Sequence, residues 1–378
     1  MLRKTRRPVV LVIGAMLALA ACSSPSTNPS ASAGGGGGGG ASGIVAFLLP
    51  EKRTARYEAA DNPLFSAKFK ELCPSATLDY ANASGDDATQ LQQAEAEISK
   101  GAKVIVLDPN DADAAGKIVT EAQAKGIKVV SYDRLVKGNS KPDYYIEFDS
   151  NSVGTIQGET LLAKLTADGK TNPKLVWING SPKDNNASLF KAGAHAALDG
   201  KVQIVKEDAM ANWLATEAQQ IMEAAIAKLG KDGFDGVYVA NDGGAGGAIA
   251  AMKANGVDPK TKPTTGQDAE LAGIQRIVAG EQFMTVYKPY KTLAEESAAV
   301  ACDLLSGKTP DAAKFNATED NGTIKVPTEK IAVIGVTLDG KTAGTKSVVD
   351  SVIADGFYTA AQICTADFAG ACTAAGLK

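Results

Sequence analysis

The chain has 378 residues, 43 acidic against 39 basic side chains, a net charge of −4, one histidine and five cysteines. An acidic chain whose bases are spread out does not suit a nucleic-acid partner, since phosphate-binding surfaces gather Lys and Arg on one face. A lone histidine with no Cys-x-x-Cys pair does not suit zinc, and no metal or other cofactor is expected.

The first residues read as an export signal. Arg3, Lys4, Arg6 and Arg7 form a positive start, and the apolar run "PVVLVIGAMLALAA" is too short for a comfortable membrane span. It ends in "LAAC", which resembles a bacterial lipobox, so residues 1–21 are expected to be removed and Cys22 to carry lipid. Loss of the four leader charges moves the net charge from −4 to −8. Residues 22–42, with seven glycines at 34–40, cannot bury apolar area and read as a flexible tether. The protein is therefore expected outside the cytoplasm, held to the cell membrane by lipid alone. The stretch from Gly43 to Lys378 is longer than one hydrophobic core usually holds, so two domains are expected.

From Gly43 two periodicities alternate. Short β-rich runs occur at "GIVAFLL", "ATLDYA", "KVIVLDP" and "IKVVSYD", separated by helical patterns. The segment "DDATQLQQAEAEISKGA" is typical: Asp86 or Asp87 can cap its start, and Gly101 follows its end. The rhythm continues through "KLVWINGS", "VQIVKEDAM", "FDGVYVAND", "TKPTTGQD" and "FMTVYKP". Apolar strands alternating with helices predict an α/β fold of two doubly wound parallel-sheet domains.

Most of these strands end in a polar cluster. In doubly wound sheets ligands sit outside the carboxyl ends of the strands, so polar groups from both sheets would face each other across an interdomain cleft. The candidates are Arg56, Asp133, Arg134, Asp184, Asn185, Asn186, Asn241, Asp242, Asp268 and Lys288, with Tyr57 and Trp213 as aromatics. An anion site would be mostly basic and a metal site mostly carboxylate. A mixed set suits a neutral polyol, whose hydroxyls both donate and accept, and a flat ring suits the apolar face of a pyranose. Some of these residues have other uses. Asp184 and Asp242 precede helices and can cap them, and for Asp242 a cap or hinge role is preferred. Trp213 can also serve simply as core packing.

At these positions the chain resembles the monosaccharide-binding proteins of bacterial ABC importers, above all their D-xylose-binding branch. The matching words are "RTARY" (53–57), "YDR" (132–134), "SPKDNNASLF" (181–190), "NW" (212–213), "AND" (240–242), "GQDAELAGI" (266–274), "TVYKP" (285–289) and "VIADGF" (352–357). The resemblance implies sugar contacts from Arg56, Tyr57, Asp133, Arg134, Asp184, Asn186, Trp213, Asn241, Asp268 and Lys288. It departs at Tyr57, where that family commonly has Trp, and at Ala55, where it commonly has an acid. It also implies a monomer that meets a monosaccharide and membrane permease subunits, either as an importer component or as a receptor presenting sugar to a sensor. Xylose, glucose, galactose and arabinose remain open as ligands. The implied fold, that of the type I periplasmic binding proteins, crosses three times between domains, at "YYIEFDS", "FMTVYKP" and around "GTIKVPTEK". The first domain would comprise 43–149 and 284–324, and the second 150–283 and 325–378.

Export permits disulfides. "CTADFAGAC" suggests a loop closed by Cys364 and Cys372, which leaves Cys73 and Cys302, although spacing alone does not establish connectivity. The implied fold returns helix 291–306 to the first domain, which makes a Cys73–Cys302 bridge reasonable.

Other functions fit less well. "GVTLDGKT" (335–342) satisfies the P-loop spacing, but Val336, Thr337 and Leu338 are poor residues for wrapping a phosphate. "GGAGG" fails the dinucleotide-binding spacing at Ile249. A glycosidase could use Asp133, Asp184 or Asp268. However, Arg134, Lys288 and the amides are expected to keep these carboxylates ionised, whereas a general acid needs a raised pKa. His195 lies in the helical "KAGAHAAL" and reads as packed. A repressor on the same core would need a DNA-binding head where the export signal stands. No catalytic residues are expected.

Overall fold

A computed structural model describes residues 42–377. The expected leader, Cys22 and all but the last tether residue lie outside the described residues.

The first half runs β1 (Ile44–Leu49), α1 (Asn62–Leu72), β2 (Thr77–Asn82), α2 (Asp87–Lys100), β3 (Val104–Leu107), α3 (Gly116–Gln123), β4 (Lys128–Tyr132) and β5 (Tyr144–Phe148). The second half begins with α4 (Ser150–Ala167), β6 (Lys174–Asn179), α5 (Asn185–Leu198), β7 (Gln203–Ala209), α6 (Ala215–Leu229), β8 (Gly236–Val239), α7 (Asp242–Ala254), α8 (Leu271–Val278) and β9 (Met284–Tyr287). The chain then returns through α9 (Tyr290–Leu305), β10 (Ala317–Asp320) and β11 (Lys325–Ile331). It finishes with β12 (Ile334–Thr337), β13 (Thr345–Ser347), α10 (Ala360–Ile363) and α11 (Ala369–Ala374).

The local signals act as expected. The Asp86 side chain accepts from Thr89 N at 2.6 Å and caps α2, which stops at Gly101 with φ 88°. A positive φ of that kind costs glycine little. β1, β3 and β4 are buried apolar runs with helices on both faces. They form the centre of a seven-stranded sheet ordered β10-β11-β5-β4-β3-β1-β2, parallel except for the β10–β11 pair.

In the second half β7-β6-β8 and β13-β12-β9 form two three-stranded sheets. The run "TKPTTGQD" lies between them as an extended connector. Val237 N donates to Pro263 O and Thr265 N to Val237 O on one side. Phe283 N donates to Thr264 O and Val286 N to Gly266 O on the other. These bonds, 2.9–3.2 Å long, stitch the two sheets together.

Strand pairing moves both expected domain edges. β9 pairs antiparallel with β12 in the second half, and β11 pairs parallel with β5 in the first. The segment that belongs with the first sheet is thus α9 through β11, rather than 284–324. An apolar run shows where a strand lies; which free sheet edge it joins depends on the assembled fold. As expected, α9 packs on α1. Cys73 and Cys302 face each other with Cα atoms 6.0 Å apart, and Cys364 and Cys372 lie 5.8 Å apart. Both separations fall within the span of a disulfide.

Candidate functional site

The carboxyl ends of seven extended segments converge on one small cavity. Arg56 and Tyr57 follow β1, and Asp133 and Arg134 follow β4. Asp184 and Asn186 stand at the start of α5, Trp213 follows β7, and Asn241 follows β8. Asp268 ends the extended connector, and Lys288 follows β9. All ten residues expected to contact sugar line this cavity, and each is only 2–8 % exposed. Of the twelve strand-end candidates these ten line it, whereas Asn185 and Asp242 do not.

Arg56 is held on three sides. Its Nε and Nη2 donate to the two oxygens of Asp61 at 2.8 and 2.7 Å, and its Nη1 donates to Asp133 Oδ2 at 2.9 Å. Its guanidinium lies over the Tyr290 ring, 4.4 Å from the centroid. Arg134 links the halves. Its Nε lies 3.0 Å from Asp184 Oδ2 across the cleft, and its Nη2 donates to Tyr57 Oη at 3.1 Å. Asn186 Nδ2 donates to Asp133 O at 3.0 Å, again from one half to the other. At the rim Lys183 Nζ reaches Asp87 Oδ2 at 2.6 Å, and Ala112 N donates to Lys183 O at 3.0 Å. Lys288 Nζ lies 3.1 Å from Asp268 Oδ1 and 5.2–5.3 Å from the Phe148 and Phe190 ring centroids.

The charges respond in different ways. Burial works against the Asp133 anion, yet Arg56, then Lys288 and Arg134, hold its carboxyl below the usual range. At Asp184 burial prevails over Arg134 and pushes the carboxyl up. The neighbouring bases thus outweigh burial at Asp133, and burial outweighs them at Asp184. Trp213 Nε1 and Gln267 Oε1 are buried on the cavity wall without a hydrogen bond inside the protein. Buried polar atoms almost always find a partner, so this wall is suited to a ligand that both donates and accepts.

The backbone is strained where the site needs it. Asp133, Trp213 and Asp268 have φ of 58°, 60° and 90°, a region non-glycine residues seldom occupy. Such strain collects at functional sites and is maintained by the surrounding structure. Packing demands are equally local. A Cβ on Gly180 would meet the Trp213 ring at 1.9 Å, so only glycine lets that ring lie flat on the wall.

Sequence reading passed over several residues. Thr54, Phe190 and Gln267 also line the cavity, each inside a recognised word and within four positions of an assigned contact. Asp61, Asp108, Tyr145 and Glu147 lie behind the wall and carried no such signal. Two cap assignments are also settled. Asp184 caps α5 by accepting from Asn186 N at 2.8 Å, and it lines the cavity as well. The cap of α7 is Asn241, which accepts from Gly244 N at 2.9 Å, and not Asp242. Asp242 is fully buried and accepts from Gln282 Nε2, Glu270 N and Thr285 Oγ1, fastening the connector to β9. Its carboxylate fills the space where Gly266 or Gly273 would otherwise carry a side chain. Ala55 is exposed and off the cavity wall, so that departure from the expected pattern leaves the cavity lining unchanged.

Residues 45–309 match the family model described as a periplasmic binding protein domain. The chain belongs to the periplasmic binding protein family. It is 36% identical to the D-xylose-binding periplasmic protein of Haemophilus influenzae, over 84% of this chain and 91% of that one. Among solved structures it resembles an ABC transporter solute binding protein from Clostridium phytofermentans with bound β-D-glucose. The TM-score is 0.74 at 30% identity, covering 85% of this chain and 99% of that one. It also resembles a carbohydrate transporter solute binding protein from Chloroflexus aurantiacus in complex with D-glucose, with a TM-score of 0.71 at 29% identity, covering 85% and 98%. These periplasmic binding proteins are transport components rather than enzymes, which agrees with the expected absence of catalysis.

Proposed function

We propose that this periplasmic binding protein captures a neutral monosaccharide, D-xylose first, between its two halves and delivers it to the permease of an ABC importer. The observation that carries this reading is the convergence of all ten expected contacts on one enclosed wall that mixes donors and acceptors with the rings of Tyr57 and Trp213. Sugar favours the closed arrangement because only there do both halves reach it at once. Exclusion of water then strengthens each charged hydrogen bond. Cys22 would anchor the protein by lipid at the outer face of the membrane, as a monomer, and the two cysteine pairs would be oxidised there.

Glucose is the second reading, favoured by the two similar solved structures that hold it. The test is a thermal-shift screen over D-xylose, D-glucose, D-galactose and L-arabinose, followed by calorimetry. A ligand that binds only the folded state raises its melting temperature. We expect the largest rise with D-xylose. No rise with any pentose or hexose would overturn the sugar reading.

A further inference from the structure

Behind the cavity wall lies a pair of buried groups with no evident structural task. Tyr145 and Glu147 project from the same face of β5, the first strand to cross between the halves, and both are fully buried. The Tyr145 hydroxyl stands 2.9 Å from Glu147 Oε2, 2.9 Å from Asp133 O and 3.4 Å from Asn186 Oδ1. Three acceptors therefore surround a hydroxyl that owns one proton. Asp133 and Asn186 are two of the contacts assigned to sugar, one from each half.

We propose that Glu147 and Tyr145 act as a positioning relay that makes sugar affinity depend on pH through Asp133 and Asn186. The inference rests on the sugar reading of the cavity. When Glu147 is neutral, its O–H donates to Tyr145 Oη, and the Tyr145 proton is free for Asp133 O. When Glu147 loses its proton to solvent, the Tyr145 O–H turns to the carboxylate. Asp133 O then loses that donor and faces an oxygen lone pair instead.

The surroundings allow Glu147 to titrate in a useful range. Lys330 on β11 lies 3.6 Å from Glu147 Oε1 but is paired to Glu319 of β10 at 2.5 Å, and Asp149 lies beyond at 4.0 Å from the same lysine. Tyr145 is the only hydrogen-bond partner of Glu147 among the described residues, and Oε1 has none. Asp133 and Asp184 add negative charge on the cavity side of Tyr145. Burial pushes Glu147 up to about 8, against the opposing pull of Lys330 and the Tyr145 hydroxyl.

The test is calorimetric titration of the whole protein with D-xylose and with D-glucose from about pH 6 to about pH 9.5, bracketing that value. Losing one net hydrogen bond to a wall residue should raise Kd about 2- to 10-fold as pH rises. Glu147→Gln keeps a neutral donor toward Tyr145 at every pH, so its Kd should stay flat at the acid value. Tyr145→Phe removes the shared proton and should be flat at the weaker value. A flat wild-type profile, or an alkaline loss that persists unchanged in Glu147→Gln or Tyr145→Phe, overturns the relay while leaving sugar binding intact. Absence of binding to either sugar at every pH overturns the sugar reading and the relay together.

Discussion

Substituting Gly180 by alanine tests the wall directly. Gly180 follows β6 and lies beneath Trp213, where a Cβ would stand 1.9 Å from Trp213 Cη2 and 2.3 Å from Cζ2. Carbon atoms in contact pack at about 3.5–4.0 Å, so the indole must retreat by more than an ångström. The ring lines the cavity, so it retreats toward the space where the sugar's apolar face would lie. In the free protein the ring can move there at little cost, and in the complex it must be pushed back. Overpacking of this kind costs about 1–3 kcal/mol. At about 1.4 kcal/mol per decade this predicts a Kd roughly 5- to 150-fold weaker. Calorimetry with D-xylose measures the affinity, and thermal unfolding shows that the fold survives. The other tryptophan, Trp177, is fully buried between His195 and Tyr238 and should keep its own emission. A folded Gly180→Ala protein with wild-type affinity would refute the argument that Trp213 presents its face to the ligand.

Asp268→Ala should abolish sugar binding without unfolding the protein, because it removes an acceptor from the wall and strips Lys288 of its 3.1 Å partner; calorimetry checks the loss and circular dichroism the fold. Asp87→Ala breaks the rim ion pair with Lys183, which is partly exposed and worth about 0–1 kcal/mol. Affinity should fall by no more than a few-fold, and the change should appear in the dissociation rate measured by stopped-flow fluorescence. Burial pushes Glu147 and Glu270 up to about 8 and Asp242 to about 7, against ordinary values of 4.5 and 3.8. Carboxyls raised in the folded state contribute stability that is complete in acid, below their unfolded values. That contribution is lost as pH climbs through the folded values. The melting temperature of the sugar-free protein should therefore decline between about pH 5 and about pH 9, and Glu147→Gln should flatten part of the slope in a pH series of thermal scans.

Much of the site was legible because its residues break a local pattern. Each stands where an apolar run stops and a charge or amide begins, and in a parallel sheet all such breaks lie at one end. The Asp86 cap and the Gly101 stop were equally readable, since a cap needs only its own few neighbours. Glu147 carried no such mark: in "YYIEFDS" it occupies an alternating position that reads as the solvent face of a strand. Its burial follows from pairing with β11, which begins 178 residues later in the chain. Arg56 meets Asp61, five positions on, across a π-helical turn at Tyr57–Asp61, a spacing that the usual i, i+3 and i, i+4 helix pairs do not bring out. The requirement for Gly180 came from Trp213, 33 positions on.

Local spacing settled which segments would be strands and helices, and which polar residues would emerge at their ends. Folding decided which sheet β9 and β11 joined, which acids were shut away from water, and how closely Arg134 and Asp184 met across the cleft. The physical reason is range. Propensity, capping and periodicity act within a few residues, whereas burial and charge pairing depend on three-dimensional neighbours that only the closed chain brings together.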